Sequence, residues 1–96
     1  MSANTYSYQN EIFVEGVINF NSVDDIFKNS VSLLRKHDCL NFNLAKVSSA
    51  NSASIALIIE WIKYSKKNNL RILFLNIPDS INSLAKVCGV DDMFTY

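Results

Sequence analysis

Between Ser52 and Asn68 the chain carries apolar residues on two sides of one helix, one stripe more than packing on one face of a sheet requires. At about 100° per residue, Ile55, Ile58, Ile59 and Ile62 gather on one side. Ala53, Leu57, Trp61 and Tyr64 gather nearly opposite, with Glu60, Lys63 and Lys67 on the flank between. The β-branched set suits packing against a sheet. The second stripe then has two readings: a neighbouring helix covers it, or Leu57, Trp61 and Tyr64 are anchors for a partner protein.

The helix is preceded by an unusual hinge, Val47-Ser48-Ser49-Ala50-Asn51-Ser52-Ala53-Ser54. It joins an expected strand, Leu40–Val47, to the helix start, where small hydroxyl side chains and unpaired backbone N–H groups come together. Such a junction suits a docking point or a phosphate carrier. In Leu40-Asn41-Phe42-Asn43-Leu44 the alternation is strict, so one face of that strand is buried and the other is amide-rich.

Elsewhere the pattern is equally readable. Tyr6 and Tyr8 mark a short first strand, Gln9-Asn10 a turn, and Glu11–Phe20 a second strand with Ile12, Val14, Ile18 and Phe20 on one face. Gly16 within it signals a bulge or a close backbone approach. Ser22 caps a first helix, with Asp25 as the acidic partner of a capping box, and Val23, Ile26, Phe27, Val31 and Leu34 continue it to about Lys36. Arg71–Ile77 is apolar on both faces and is expected in the middle of the sheet. Pro78-Asp79-Ser80 opens a third helix with the stripe Ile81, Leu84, Ala85 and Cys88, stopped by Gly89; one more turn is expected over Val90–Phe94. The order β-β-α-β-α-β-α gives an α/β fold, a mixed sheet with crossover helices packed mainly on one face, in one domain over residues 1–96.

Chemistry narrows the function by subtraction. His37 is the only histidine; it lies two residues from Cys39, but no third orienting group accompanies them. No zinc spacing, phosphate-binding loop or dinucleotide motif is present, and Gly16 and Gly89 are the only glycines. Asp24-Asp25 and Asp91-Asp92 read as charges at helix N-termini. The expectation is a protein without catalytic residues, cofactor or metal. Nine basic and nine acidic residues cancel, so nucleic acid is not the expected partner, and Lys63, Lys66, Lys67 and Arg71 read as a solvated helix end. Cys39 and Cys88 define no disulfide framework, and the polar Met1–Thr5 is not a signal peptide. The longest apolar run, Ile55–Ile59, is far short of the roughly 20 residues that span a bilayer. A cytoplasmic location follows as an expectation, with any membrane role requiring another subunit as anchor.

Three segments together resemble the STAS domain family across essentially the whole chain. Val14-Glu15-Gly16-Val17-Ile18-Asn19 looks like the family's L-x-G-E-L-D strand. Leu44 to Leu57 looks like its L-x-x-V-x-x-V-D-[ST]-[GAS]-G-L-A-L signature, and Ser83-Leu84-Ala85-Lys86-Val87-Cys88-Gly89-Val90 like its late L-A-K-L helix. Within the family the chain is most similar to the MlaB-like branch, the cytoplasmic subunits of Mla phospholipid-transport ABC complexes in Gram-negative envelopes. The resemblance implies docking on the MlaF-like ATPase subunit and, through it, association with an MlaE-like permease and an MlaD-like lipid-binding protein. It implies a peripheral position at the inner membrane and a part in keeping outer-membrane lipid asymmetry. It also places Ser52 at the family's hydroxyl position, so that Asn51, Ser52, Ala53, Ser54, Leu57, Trp61 and Tyr64 form the expected partner surface. In the related anti-sigma factor antagonists the matching Ser is phosphorylated by a partner kinase, which releases the partner; Ser52 phosphorylation is the alternative reading. Asn51 stands where the family usually has Asp, and Ala53-Ser54 replaces a Gly-containing pair. Both changes favour a docking site over a phosphate switch.

Overall fold

The computed structural model describes residues 4–9, 11–34, 39–48 and 51–90, with the side chains of Cys39 and Leu40 left out. Its elements run β1 (Asn4–Tyr8), β2 (Glu11–Glu15), α1 (Val23–Leu34), β3 (Cys39–Asn43), α2 (Ser52–Lys67), β4 (Arg71–Leu75) and α3 (Asp79–Cys88). The described strands form a mixed four-stranded sheet in the order β1-β2-β3-β4. β1 and β2 are an antiparallel hairpin, while β2, β3 and β4 are parallel and joined by helical crossovers. The expected α/β architecture is therefore present. Ile12, Val14, Phe42 and Ile72 are buried on the helix-covered face. Tyr6, Phe13 and Asn41 on the other face are half-buried, and Leu73 is exposed.

β2 is shorter than alternation predicts, and the cause is Gly16. Its φ of 100° is a conformation that side-chain-bearing residues avoid. Gly16 leaves the ladder to pair with the chain after β3: its N–H donates to the Lys46 carbonyl at 3.1 Å, and its carbonyl accepts from Ser48 N–H at 2.9 Å. The period of two stops there. Ile18 remains buried, but Phe20, expected on the same face, is 72% exposed. Ser22 does not build the expected box with Asp25, because its hydroxyl donates back to the Asn19 carbonyl at 3.1 Å.

α2 explains its two stripes in an unexpected way. Buried positions are Ala53, Ser54, Ile55, Leu57, Ile58, Trp61, Ile62 and Ser65, one continuous arc of roughly 200° at helical spacing. The serines close the gap between the stripes. Ser54 donates to the Asn51 carbonyl at 2.7 Å and Ser65 to the Ile62 carbonyl at 2.8 Å, so both hydroxyls are satisfied without water. The Trp61 indole stacks on Phe42 of β3 at 4.2 Å between ring centres, and its N–H donates to Ser30 of α1 at 2.7 Å. The aromatic stripe, not only the isoleucine one, thus faces the sheet. Tyr64 is half-buried, edge-on to Phe27 of α1 at 6.0 Å. α2 touches both α1 and α3 and is the most enclosed helix.

β4 takes the last place in the order of described strands, not the middle expected from its apolar character. Leu73 and Leu75 lie on the face without helices, with Leu73 47% exposed, so apolarity on both faces did not signify burial on both. α3 starts after Pro78 and ends at Gly89, which takes the left-handed conformation at φ 74° as expected of a helix stop. Ile81 and Ala85 are buried and Leu84 half-buried, whereas Cys88 is exposed and leaves the predicted stripe. His37, Ser49, Ala50, Asn10, the helix end at Lys36, Asp91-Asp92 and the turn expected over residues 91–94 lie outside the described residues.

Candidate functional site

The parallel strands β2, β3 and β4 all end at one rim of the sheet, and the chain segments leaving them are braced against one another. After β3 the chain turns at once: Asn43 accepts from Ala45 N–H at 3.0 Å, and Val47 N–H donates to the Leu44 carbonyl at 3.2 Å. The Gly16 pairing joins this turn to the end of β2. On the face without helices, the Lys46 ammonium donates to the Tyr6 hydroxyl at 3.1 Å, lies 3.8 Å from Glu15, and sits over the Tyr6 and Phe13 rings. The hydrogen bond to Tyr6, and then the charge of the Tyr6 phenolate form, raise the Lys46 pKa above the ordinary lysine value of 10.5. The Lys46 side chain thus bridges the hairpin and the turn.

The start of α2 is held more tightly still. Asn51 is the N-cap, with extended backbone at φ −156° and ψ 178°. Its side-chain oxygen accepts from Ser54 N–H at 3.0 Å, and the Ser54 hydroxyl accepts from Asn51 N–H at 3.1 Å, a reciprocal capping box. The other half of the Asn51 amide donates to the Ile18 carbonyl at 2.7 Å, a bond an Asp in this place could not make while ionised. Thus Asn51 ties the helix start to the β2–α1 loop.

Sequence and structure agree only in part on the site residues. Ser52 is exposed at the first position of α2, and its hydroxyl takes no part in the capping bonds. Asn51 is half-buried and Ala53 and Ser54 are buried beneath it. Leu57 and Trp61 are fully buried in the core, so they cannot serve as a partner surface in this fold; the reason is the continuous arc closed by Ser54 and Ser65. Half-buried Tyr64 lies at the opposite end of the helix. What shares the outer side of α2 with Ser52 is Ala56 and Ile59, both half-buried, at i+4 and i+7. Sequence reasoning missed these, and missed Phe20, although the polar run Asn19-Phe20-Asn21-Ser22 already marks the break in alternation.

Chemically, the rim offers an exposed hydroxyl at a helix N-terminus with no acidic residue in the first turn and Lys66 and Lys67 in the last. The first of these favours negative charge at Ser52, by roughly 0.3–1 kcal/mol; the lysines complement the opposite end of the helix. Among the described residues, no group of three or more His, Cys, Asp or Glu is placed to hold a metal ion, and no helix is long and apolar enough to cross a membrane.

Comparison with known proteins agrees with this fold. No curated protein sequence matches the chain. The fold is similar to the anti-sigma factor antagonist SpoIIAA in its unphosphorylated form (TM-score 0.69, 11% identity, 96% of this chain and 84% of that one). It is similar also to the phosphorylated form of the Bacillus cell fate determinant SpoIIAA (TM-score 0.66, 11% identity, 96% of this chain and 87% of that one). A third similar structure, that of Mglu, has a TM-score of 0.60 at 20% identity, covering 81% of this chain but 20% of that one. Residues 4–96 match the STAS domain family model, and the chain belongs to the STAS domain family.

Proposed function

We propose that this STAS domain is a non-enzymatic docking subunit that binds the ATPase of an ABC phospholipid transporter, MlaB-like in role, and supports assembly and activity of that complex. The observation that carries the reading is the exposed Ser52 on a helix start braced from two sides. A surface fixed before the partner arrives loses little freedom on binding. In this role the domain is cytoplasmic, is held at the inner membrane by the ATPase and its permease, and helps to maintain outer-membrane lipid asymmetry. Ser52, Asn51, Ala56 and Ile59 are the contact points; Leu57 and Trp61 contribute from inside by stiffening the helix.

A second reading is favoured by the same exposed hydroxyl and by likeness to SpoIIAA in both its unphosphorylated and phosphorylated forms. Here the domain is an anti-sigma factor antagonist that a kinase switches at Ser52. A phosphate would bring about −1.5 to −2 charges to the rim. Desolvating it against a partner costs more than the helix N-terminus returns.

Ser52→Asp is expected to weaken binding to the purified ATPase subunit without lowering the thermal midpoint of the domain. Unchanged affinity in a calorimetric titration removes Ser52 from the interface. Co-purification from a membrane extract separates the two readings. Recovery of the ATPase with its permease supports the first, and recovery of a soluble serine kinase that adds one phosphate to Ser52 replaces it with the second.

A further inference from the structure

We propose that Phe20, flanked by Asp24 and Asp25, is the second half of the docking surface and takes a partner protein that presents an apolar pocket rimmed by basic side chains. The proposal rests on the reading of Ser52 as a docking point.

A singly exposed apolar residue is ordinary on a protein surface. Phe20 differs in how it is held. At 72% exposure it stands on a turn closed from both directions. The Asn19 side chain accepts from Asn21 N–H at 2.9 Å and from Ser22 N–H at 3.1 Å. The Ser22 hydroxyl accepts from Asn19 N–H at 3.1 Å and donates to the Asn19 carbonyl, which also accepts from Val23 N–H at 3.1 Å. The ring is therefore presented on a fixed base, as an interface anchor needs to be. The same loop is bonded to the cap of α2 through Asn51 and Ile18, so Phe20 and Ser52 belong to one braced surface.

Charge selects the partner. Asp24 and Asp25 are both exposed in the first turn of α1, and Lys28, exposed one turn on, offsets only one of the two charges. An anchor ring just before a helix start of net negative charge complements a cationic rim rather than an anionic lipid surface. Asn19 and Asn21 supply uncharged hydrogen-bonding groups around the ring.

The test uses the full chain titrated into the purified ATPase subunit, with Phe20→Ala, the charge reversal Asp24→Lys/Asp25→Lys, and Ser52→Asp compared side by side. Far-UV circular dichroism and Trp61 emission serve as fold controls. Phe20→Ala is expected to weaken binding about tenfold or more with both fold signals unchanged. The charge reversal is expected to slow association and to flatten its dependence on salt. Loss of affinity in Ser52→Asp with Phe20→Ala unaltered overturns this proposal and leaves the docking reading standing. Unaltered affinity in both, or no binding by the unchanged protein, overturns the docking reading and this proposal together. If Phe20→Ala instead abolishes binding to phosphatidylglycerol vesicles, the ring is a lipid anchor and the proposed protein pocket falls.

Discussion

Asn51 uses both halves of its amide, the oxygen as cap of α2 and the nitrogen as donor to Ile18. Asn51→Asp therefore separates two roles that are joined in this chain. The carboxylate still caps, and as an anion at a helix N-terminus it caps well. It also sets an oxygen against the Ile18 carbonyl and leaves that acceptor without its donor. The expected result is a net loss of about 1–3 kcal/mol in a urea titration, although the substitution improves the helix in isolation. A gain in stability would show that the tie to Ile18 contributes nothing. At this scale the site was half legible. The hinge stands out by composition, and Ser52 by position. The division of labour between neighbours was hidden, because the cap depends on which residue keeps extended backbone, and the donor to Ile18 depends on a loop more than thirty residues away in sequence.

Among the elements, α2 holds the core together. Trp61→Ala would remove the stack on Phe42, open a cavity between helix and sheet, and leave Ser30 without its buried donor. A loss of about 3–5 kcal/mol is expected, read as a large fall in the thermal midpoint or as an unfolded protein. A stable Trp61→Ala domain that fails only in partner binding would restore the surface reading of that stripe. Both apolar stripes were correctly placed on the helix by periodicity alone. Their assignment to sheet and partner was not recoverable, since serine counts as polar in a pattern yet Ser54 and Ser65 are buried by bonding to carbonyls of their own helix. Two further departures have the same character. Phe20 fits the alternation of β2, but a positive φ at Gly16 ends the strand first. β4 is apolar on both faces, yet one of those faces is the side of the sheet that carries no helix among the described residues.

For the molecule as a whole, the element order made the mixed α/β class legible, but not the strand order, since β4 was expected in the middle and takes the last place among the described strands. The Cα radius of gyration, 12.1 Å, is close to the roughly 13 Å of a compact hundred-residue domain. One cooperative unit is expected: far-UV circular dichroism and Trp61 emission should trace the same transition in denaturant, since the indole touches α1, β3 and β4. Separate midpoints would divide the chain into independently folding parts. The Asn51 tether also constrains how such a fold can diverge. The acceptor is a backbone carbonyl, which any residue at position 18 supplies, so the tether depends on side-chain identity at Asn51 alone. A loop graft that carries the segment after β2 into a rim without Asn51 therefore transfers its shape without its rigidity.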